Sequence, residues 1–292
     1  LQSAETMAQQ LNATIMSNTT VEKIDRNEQM VYCGGESIAY GRLVLAVGAH
    51  PIQLTLSGDA TDSMISINHL EDYAQFERWL QGKKDIAILG SGLVGCELMN
   101  DLLNNQYQLN MISLDVTPLA RFIPEPLGQV FQDILATRGI HWYLGSGASA
   151  IAHHKDRFSI TLLDETDVSA DGVISAVGLQ ANIALAQAAG LDVGQAISVN
   201  RYLQTSDSHI FALGDCVAVE GVVLQYVAPL LQAARALAQT LAGESTAVQY
   251  PPMPIVIKTP ACPVVTIPPA IGIHGEWEIS GAGADWSGRF LD

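Results

Sequence analysis

Only four cysteines, Cys33, Cys96, Cys216 and Cys262, occur in the 292 residues, and no two stand in a C-x-x-C pair. That scarcity argues against a disulfide framework, a cysteine zinc site and a redox dithiol, and it suits a reducing cytoplasm. Long apolar runs are also missing: none reaches the roughly 18 residues of a membrane-spanning helix, so a soluble chain without membrane insertion is expected. Positive charge is scarce. With 14 Lys and Arg against 30 Asp and Glu, the net charge of −16 disfavours nucleic acid, anionic membranes and acidic partners through bulk electrostatics. An acidic ligand must therefore be held by local groups. Repeats, low-complexity tracts, an initiator Met and a signal peptide are all absent. The opening LQSAETMAQQL reads as the tail of a helix and the closing GRFLD as an entering strand, so a piece of a longer fold is expected.

What is present is a 48% hydrophobic composition, enough for two ordinary domains with real cores. Short strands are predicted over residues 15–25 and 29–33, a buried strand over LVLAVG (43–48), and a closing turn at Ala49 to Pro51. An amphipathic helix is predicted from Glu71 to Leu80. Strand 85–89, helix 93–104, strand 109–114, helix 126–138 and strand 140–144 then make a βαβαβ run, the pattern of a parallel sheet covered by helices. FSITLLD (158–164) reads as a strand of an antiparallel insert, and DGVISAVGLQ (171–180) and IFALGDC (210–216) as buried strands running into glycines. A helix over 229–241 is stopped by Gly243, and the proline-rich segment from Tyr250 to Pro269 marks the boundary of a small tail.

The run DIAILGSGLVGCEL carries Gly90, Gly92 and Gly95 in G-x-G-x-x-G spacing between an apolar strand and a helix, the context a dinucleotide turn requires. Gly90 permits the tight turn, Gly92 lets a pyrophosphate approach the backbone, and Gly95 lets helix and strand pack closely. Unpaired N–H groups at the helix start then face the phosphates. The second strand ends at Ser113, with Asp115 two residues on; a carboxylate there would favour NAD, whereas Ser113 weakens the repulsion of NADP. Arg121 reads either as a partner for a 2′-phosphate or as a solvated loop charge, so NAD is expected with NADP left open. Asp215 in FALGDC reads either as a ligand contact or as a helix cap. Taken alone, Glu97 is a favourable first-turn acid, Lys258 a surface charge, and His153–His154 a polar turn without further metal ligands.

LVLAVGAHP, DIAILGSGLVGCEL, VISAVGLQAN and TSDSHIFALGDC follow one another in the order and rough spacing of the two-dinucleotide flavoprotein reductases, which the chain resembles from its first residue to about Ala270. Lacking a redox dithiol, it is similar to the ferredoxin and rubredoxin reductase branch. The run LQYVAPLLQAARALAQTL with YPPMPIVIKTPACP resembles most the rubredoxin–NAD reductases of alkane-degrading bacteria. The resemblance implies an α/β fold of two nested Rossmann-like domains, for FAD and NAD, with a small C-terminal α+β domain. It divides the chain into FAD-binding 1–68 and 187–250, NAD(P)-binding 69–186 and an interface domain 251–292. It implies that a first glycine-rich turn, for the ADP part of FAD, precedes this sequence, and that closing C-terminal strands follow it.

Carried over by the same resemblance, Val21 meets the FAD adenine region through its backbone, and Ala46, Val47 and Gly48 lie beside FAD. Gly214 is among the FAD residues, and Asp215 lies on the ribityl chain. Val227 opens a helix under the flavin pyrimidine ring, Lys258 stands near the isoalloxazine, and Glu97 reaches the flavin site. The NAD set is Gly90, Ser91, Gly92, Leu93, Val94, Gly95, Ser113, Asp115, Arg121, Val177 and Gly178. Ala181 replaces a proline common in relatives. The implied reaction is hydride transfer from NADH to FAD followed by single-electron transfers to rubredoxin, supplying an alkane hydroxylase; the flavin carries the chemistry and no side chain is expected to be catalytic. The alternatives are a ferredoxin reductase, an NADH oxidase, and a non-catalytic NAD-binding sensor.

Overall fold

The computed structural model describes residues 2–269, 272–283 and 285–292, so the end of the family resemblance near Ala270 lies outside the described residues. The chain forms two compact units, one made of the chain up to Ala49 with Gln180–Pro251, the other of His50–Leu179 with Pro252–Asp292.

In the second unit the apolar runs form a four-stranded parallel sheet in the order Gly172–Ser175, Asp85–Leu89, Gln108–Ser113, Ile140–Leu144. Ile86, Ala87 and Ile88 are wholly buried, which is why this strand reads as a continuous apolar run rather than an alternating one. Helix Leu93–Asn104 has the predicted bounds, and helix Glu125–Ala136 starts one residue early, behind Pro124. A three-stranded antiparallel sheet (Asp167–Ala170, Arg157–Leu162, Ala148–His154) follows, of which the sequence pattern predicts only the middle strand. Among the described residues of the tail are two antiparallel ribbons, Ile255–Ile257 with Val264–Thr266 and Glu276–Ala282 with Asp285–Leu291.

A polar knot fixes the start of the glycine-turn strand. The Asp171 carboxylate accepts the N–H groups of Lys84 and Asp85 at 2.9 and 3.0 Å, while Arg157 bridges Asp85 at 2.6 Å and Asp171 at 3.4 Å. Burial pushes the Asp171 carboxyl up, but the Asp85 and Lys84 amides and the Arg157 charge together hold it below the ordinary value. A depressed folded pKa contributes stability above the unfolded value, about 3.9, that is lost as pH falls through the folded one. Asp171→Ala is therefore expected to lower stability by about 1–3 kcal/mol at pH 7. The loss should shrink towards pH 3 in denaturant titrations at several pH values; a pH-independent loss would contradict this.

In the first unit, Leu43–Leu45 pairs in parallel with Ile210–Ala212, and Ile197–Val199 with Val217–Val219. Val21–Asp25, Met30–Cys33 and Glu36–Ala39 form a meander. Leu45, Ile210, Phe211, Ala212 and Cys216 pack with Ala233, Ala236 and Leu237 of helix Val227–Leu241 in one core. The Arg42 guanidinium donates to the Thr240 and Leu241 carbonyls, closing that helix's C-terminus.

Several elements differ from those the sequence pattern predicts. Residues 15–20 are not strand, because Asn18 is left-handed (φ 54°) and the Thr19 hydroxyl donates to the Ser17 carbonyl, making SNTT a turn. Ala49–Pro51 is a strand rather than a turn. The apolar runs 43–48, 171–180 and 210–216 stop as strands at Leu45, Ser175 and Ala212, since each meets a glycine with positive φ: Gly48, Gly178 and Gly214. The long helix begins at Val227, two residues early, because Pro229 falls in its first turn, where a missing N–H costs no helical bond.

Candidate functional site

In the second unit the carboxyl ends of the parallel strands bring together Gly90, Ser113 and the Val177–Gly178 turn, the edge at which open α/β sheets bind ligands. The turn is built by close backbone contact. Gly90 has φ +103°, its N–H donates to the Ile112 carbonyl at 2.7 Å, and an added Cβ would lie 2.5 Å from the Ala176 carbonyl oxygen. A Cβ on Gly95 would lie 2.0 Å from the Gly90 carbonyl oxygen. Gly92 is different: its backbone is extended (φ −77°) and an added Cβ would meet nothing within 4 Å. Gly90 and Gly95 thus serve the fold, whereas the face of Gly92 is open to a ligand.

Helix Leu93–Asn104 has no side-chain cap at Gly92, so its first-turn N–H groups are available to an anion. Ser91 is buried; its carbonyl accepts the Leu119 N–H at 2.9 Å, and its hydroxyl has no partner among the described residues. Leu93 is half-buried, while Val94, one residue further into the turn, is exposed. The Ser113 hydroxyl accepts the Asp115 N–H at 3.2 Å, and the Asp115 carbonyl accepts the Gly145 N–H, so Asp115 is held by its backbone with its side chain exposed. Arg121 is exposed on the same connection. The Gly178 carbonyl accepts the Ile52 N–H at 3.0 Å.

Two contacts without a sequence signature join this helix to the tail. The Glu97 carboxylate accepts the Lys258 backbone N–H at 3.0 Å, and the buried Asn100 amide oxygen accepts the Ala261 N–H at 3.0 Å. The trace in the sequence is an Asn set among the buried Cys96, Met99 and Leu102 of that helix.

In the first unit, Ala46, Val47 and Gly48 follow the carboxyl end of Leu43–Leu45. Asn182 holds them, its side-chain amide donating to the Val47 carbonyl at 2.7 Å and its backbone N–H to that of Gly48 at 3.0 Å. Gly214 and Asp215 follow the neighbouring strand. Burial pushes the Asp215 carboxyl up, and no hydrogen bond or charge among the described residues offsets it. Helix Val227–Leu241 starts with Val227 70% exposed and no side-chain cap from Tyr226, leaving its positive end open. Val21 is an exposed strand start.

The unpaired Asp215 carboxyl, the open face of Gly92 and two uncapped helix starts are groups that ligands rich in hydroxyls and phosphates would satisfy. Two dinucleotides fit them.

Residues 2–240 match the family model for pyridine nucleotide-disulphide oxidoreductase, and residues 247–292 that for the rubredoxin binding C-terminal domain. The chain is 42% identical over 281 residues to a rubredoxin-NAD(+) reductase of Alcanivorax borkumensis, covering 96% of this chain and 73% of the relative. It is 40% identical to that of Acinetobacter baylyi, covering 94% and 72%. A solved ferredoxin reductase for the CYP199A2 system of Rhodopseudomonas palustris superposes with a TM-score of 0.90 at 26% identity, covering 99% of this chain and 73% of that one. No helix among the described residues is long and apolar enough to cross a membrane.

Proposed function

The chain belongs to the pyridine nucleotide-disulphide oxidoreductase family, and from that premise we propose that it passes electrons from NADH through FAD to rubredoxin in the cytoplasm, supplying an alkane hydroxylase system. The observation that carries this reading is the joining, in one chain, of an open G-x-G-x-x-G turn to a tail matching the rubredoxin binding domain. Bound FAD would supply the chemistry, accepting a hydride and returning electrons singly.

The residues present would hold the two cofactors as follows. The N–H groups after Gly92 would take the NADH pyrophosphate, with Leu93 and Val94 lining the approach and Ser91 buried in the turn behind them. Ser113 and Asp115 face the adenine ribose; the Asp115 carboxylate repels a 2′-phosphate, so NADH is preferred, and Arg121 sets how steep the preference is. Val177 and Gly178 border the same nucleotide. For FAD, Asp215 accepts hydrogen bonds from ribityl hydroxyls, Ala46 to Gly48 and Gly214 give backbone contacts, and Val21 meets the adenine region. The open positive end of the helix starting at Val227 would favour negative charge on the pyrimidine side of a bound flavin. Glu97 and Lys258 are assigned to the flavin. The corresponding division is FAD-binding 1–68 and 187–250, NAD-binding 69–186, and an interface domain 251–292.

The test is the visible absorption of the protein purified from its source, before and after anaerobic addition of NADH. A flavin band that bleaches is the expected result, with NADPH acting more slowly. A colourless protein that still binds NADH would overturn the reductase reading.

A further inference from the structure

Glu97 and Asn100 stand one turn apart on the helix that follows the glycine turn, so both point from one helix face. Both accept backbone N–H groups from the loop between the tail strands Ile255–Ile257 and Val264–Thr266: Lys258 at Glu97, Ala261 at Asn100. The loop is also tied to itself, the Thr259 hydroxyl donating to the Cys262 carbonyl at 2.7 Å and the Cys262 N–H to the Thr259 carbonyl at 2.8 Å. A loop braced in this way moves as one piece, so anchoring Ala261 also anchors Lys258.

The two anchors are unequal. Glu97 is only half-buried and reaches an exposed residue, so water competes for its bond. Asn100 is wholly buried, and its amide nitrogen has no partner among the described residues. An unpaired buried donor is destabilising, and a leucine of similar size would fill the space without that loss. The gain from an asparagine here lies in its oxygen, the acceptor for Ala261.

We propose that Asn100 is a positioning residue for Lys258: it fixes the 258–262 loop to the helix whose start receives NADH, and so sets where the Lys258 ammonium stands. This rests on the reading of Lys258 as a flavin-side residue. The same helix then mounts the hydride donor at one end and the lysine's loop along its side.

The test uses the intact, flavin-loaded enzyme and four variants: Asn100→Leu, Asn100→Asp, Lys258→Met and the Asn100→Leu/Lys258→Met double. Asn100→Leu should fold normally, yet exchange the Ala261 amide about tenfold faster, while Asn100→Asp, compared with the parent at about pH 5, where burial keeps its carboxyl protonated and close in shape to the amide, should stay within about threefold. Flavin bleaching by NADH should slow about tenfold in Asn100→Leu and in Lys258→Met, and the double variant should be no slower than Lys258→Met, because both substitutions act through one group. Unchanged Ala261 exchange in Asn100→Leu would overturn the clamp. Faster exchange with normal bleaching, while Lys258→Met is slow, would overturn the positioning role. Normal bleaching in Lys258→Met would overturn the flavin-side reading of the lysine, and the proposal with it, so that variant distinguishes the two failures.

Discussion

Asp215→Ala is expected to weaken FAD retention by about 10- to 100-fold, the loss of a hydrogen bond to a charged group worth about 1.5–3 kcal/mol. The same substitution should leave the flavin-free protein no less stable, and at neutral pH more so. The reason is the direction of the Asp215 shift. Burial raises its folded pKa and nothing among the described residues offsets this, so the flavin-free folded chain binds the proton more tightly than the unfolded chain does. Ionised Asp215 is therefore destabilising above the unfolded value, about 3.9, and fully so above the folded one. The advantage of Asp215→Ala in the flavin-free state should vanish as pH falls towards 4. Flavin retained on a desalting column and thermal melts of the stripped protein check both halves. Equal flavin retention would remove Asp215 from the site, and a less stable stripped variant would contradict the unpaired carboxyl.

A second large effect separates two glycines of one motif. Gly92→Val should fold and keep FAD, because its backbone is extended and its side chain would enter open space. It should raise the NADH Kd by about 100-fold or more, since that space is where the pyrophosphate must approach, a loss of about 3 kcal/mol. Gly95→Val should instead cost the fold about 3 kcal/mol or more, because its Cβ would lie 2.0 Å from the Gly90 carbonyl oxygen. Isothermal titration with NADH and a denaturant melt on each variant read the difference. Wild-type NADH affinity in Gly92→Val would mean that the nucleotide lies elsewhere.

Which parts were legible in the sequence follows from how local their causes are. Strand Asp85–Leu89, Gly90 and helix Leu93–Asn104 were legible because a doubly covered strand needs an unbroken apolar run and the turn after it needs glycines. Strands Ala148–His154 and Asp167–Ala170 give weak local signals: ASAIAHH holds one large apolar residue and DVSA alternates over only four positions, so pairing with Arg157–Leu162 supplies what the local pattern does not. The apolar runs that reach Gly48, Gly178 and Gly214 read longer than the strands they contain, because the apolar residues before each glycine hide the point at which strand pairing stops.

The site divides the same way. Gly90, Gly92 and Gly95 stand at a fixed spacing between one strand and the next helix, so the local pattern reveals them, although Gly90 itself packs against Ile112 and Ala176 far along the chain. Glu97 and Asn100 meet partners 161 residues away, and a single Asn in a helix gives no periodic signal. Asp215 was ambiguous between cap and ligand contact; its burial without a partner favours the second. Val21, Val227 and Lys258 carry roles that only a family resemblance assigns.

The most direct measurement mixes the NADH-reduced enzyme, in an anaerobic stopped-flow instrument, with oxidised rubredoxin, a [2Fe–2S] ferredoxin and oxygen in turn. Reoxidation should be fastest with rubredoxin, by about tenfold or more, and that advantage should be lost when the tail from residue 247 is replaced by the corresponding segment of a ferredoxin reductase. Equal rates with all three acceptors, or a preference for the ferredoxin, would contradict it.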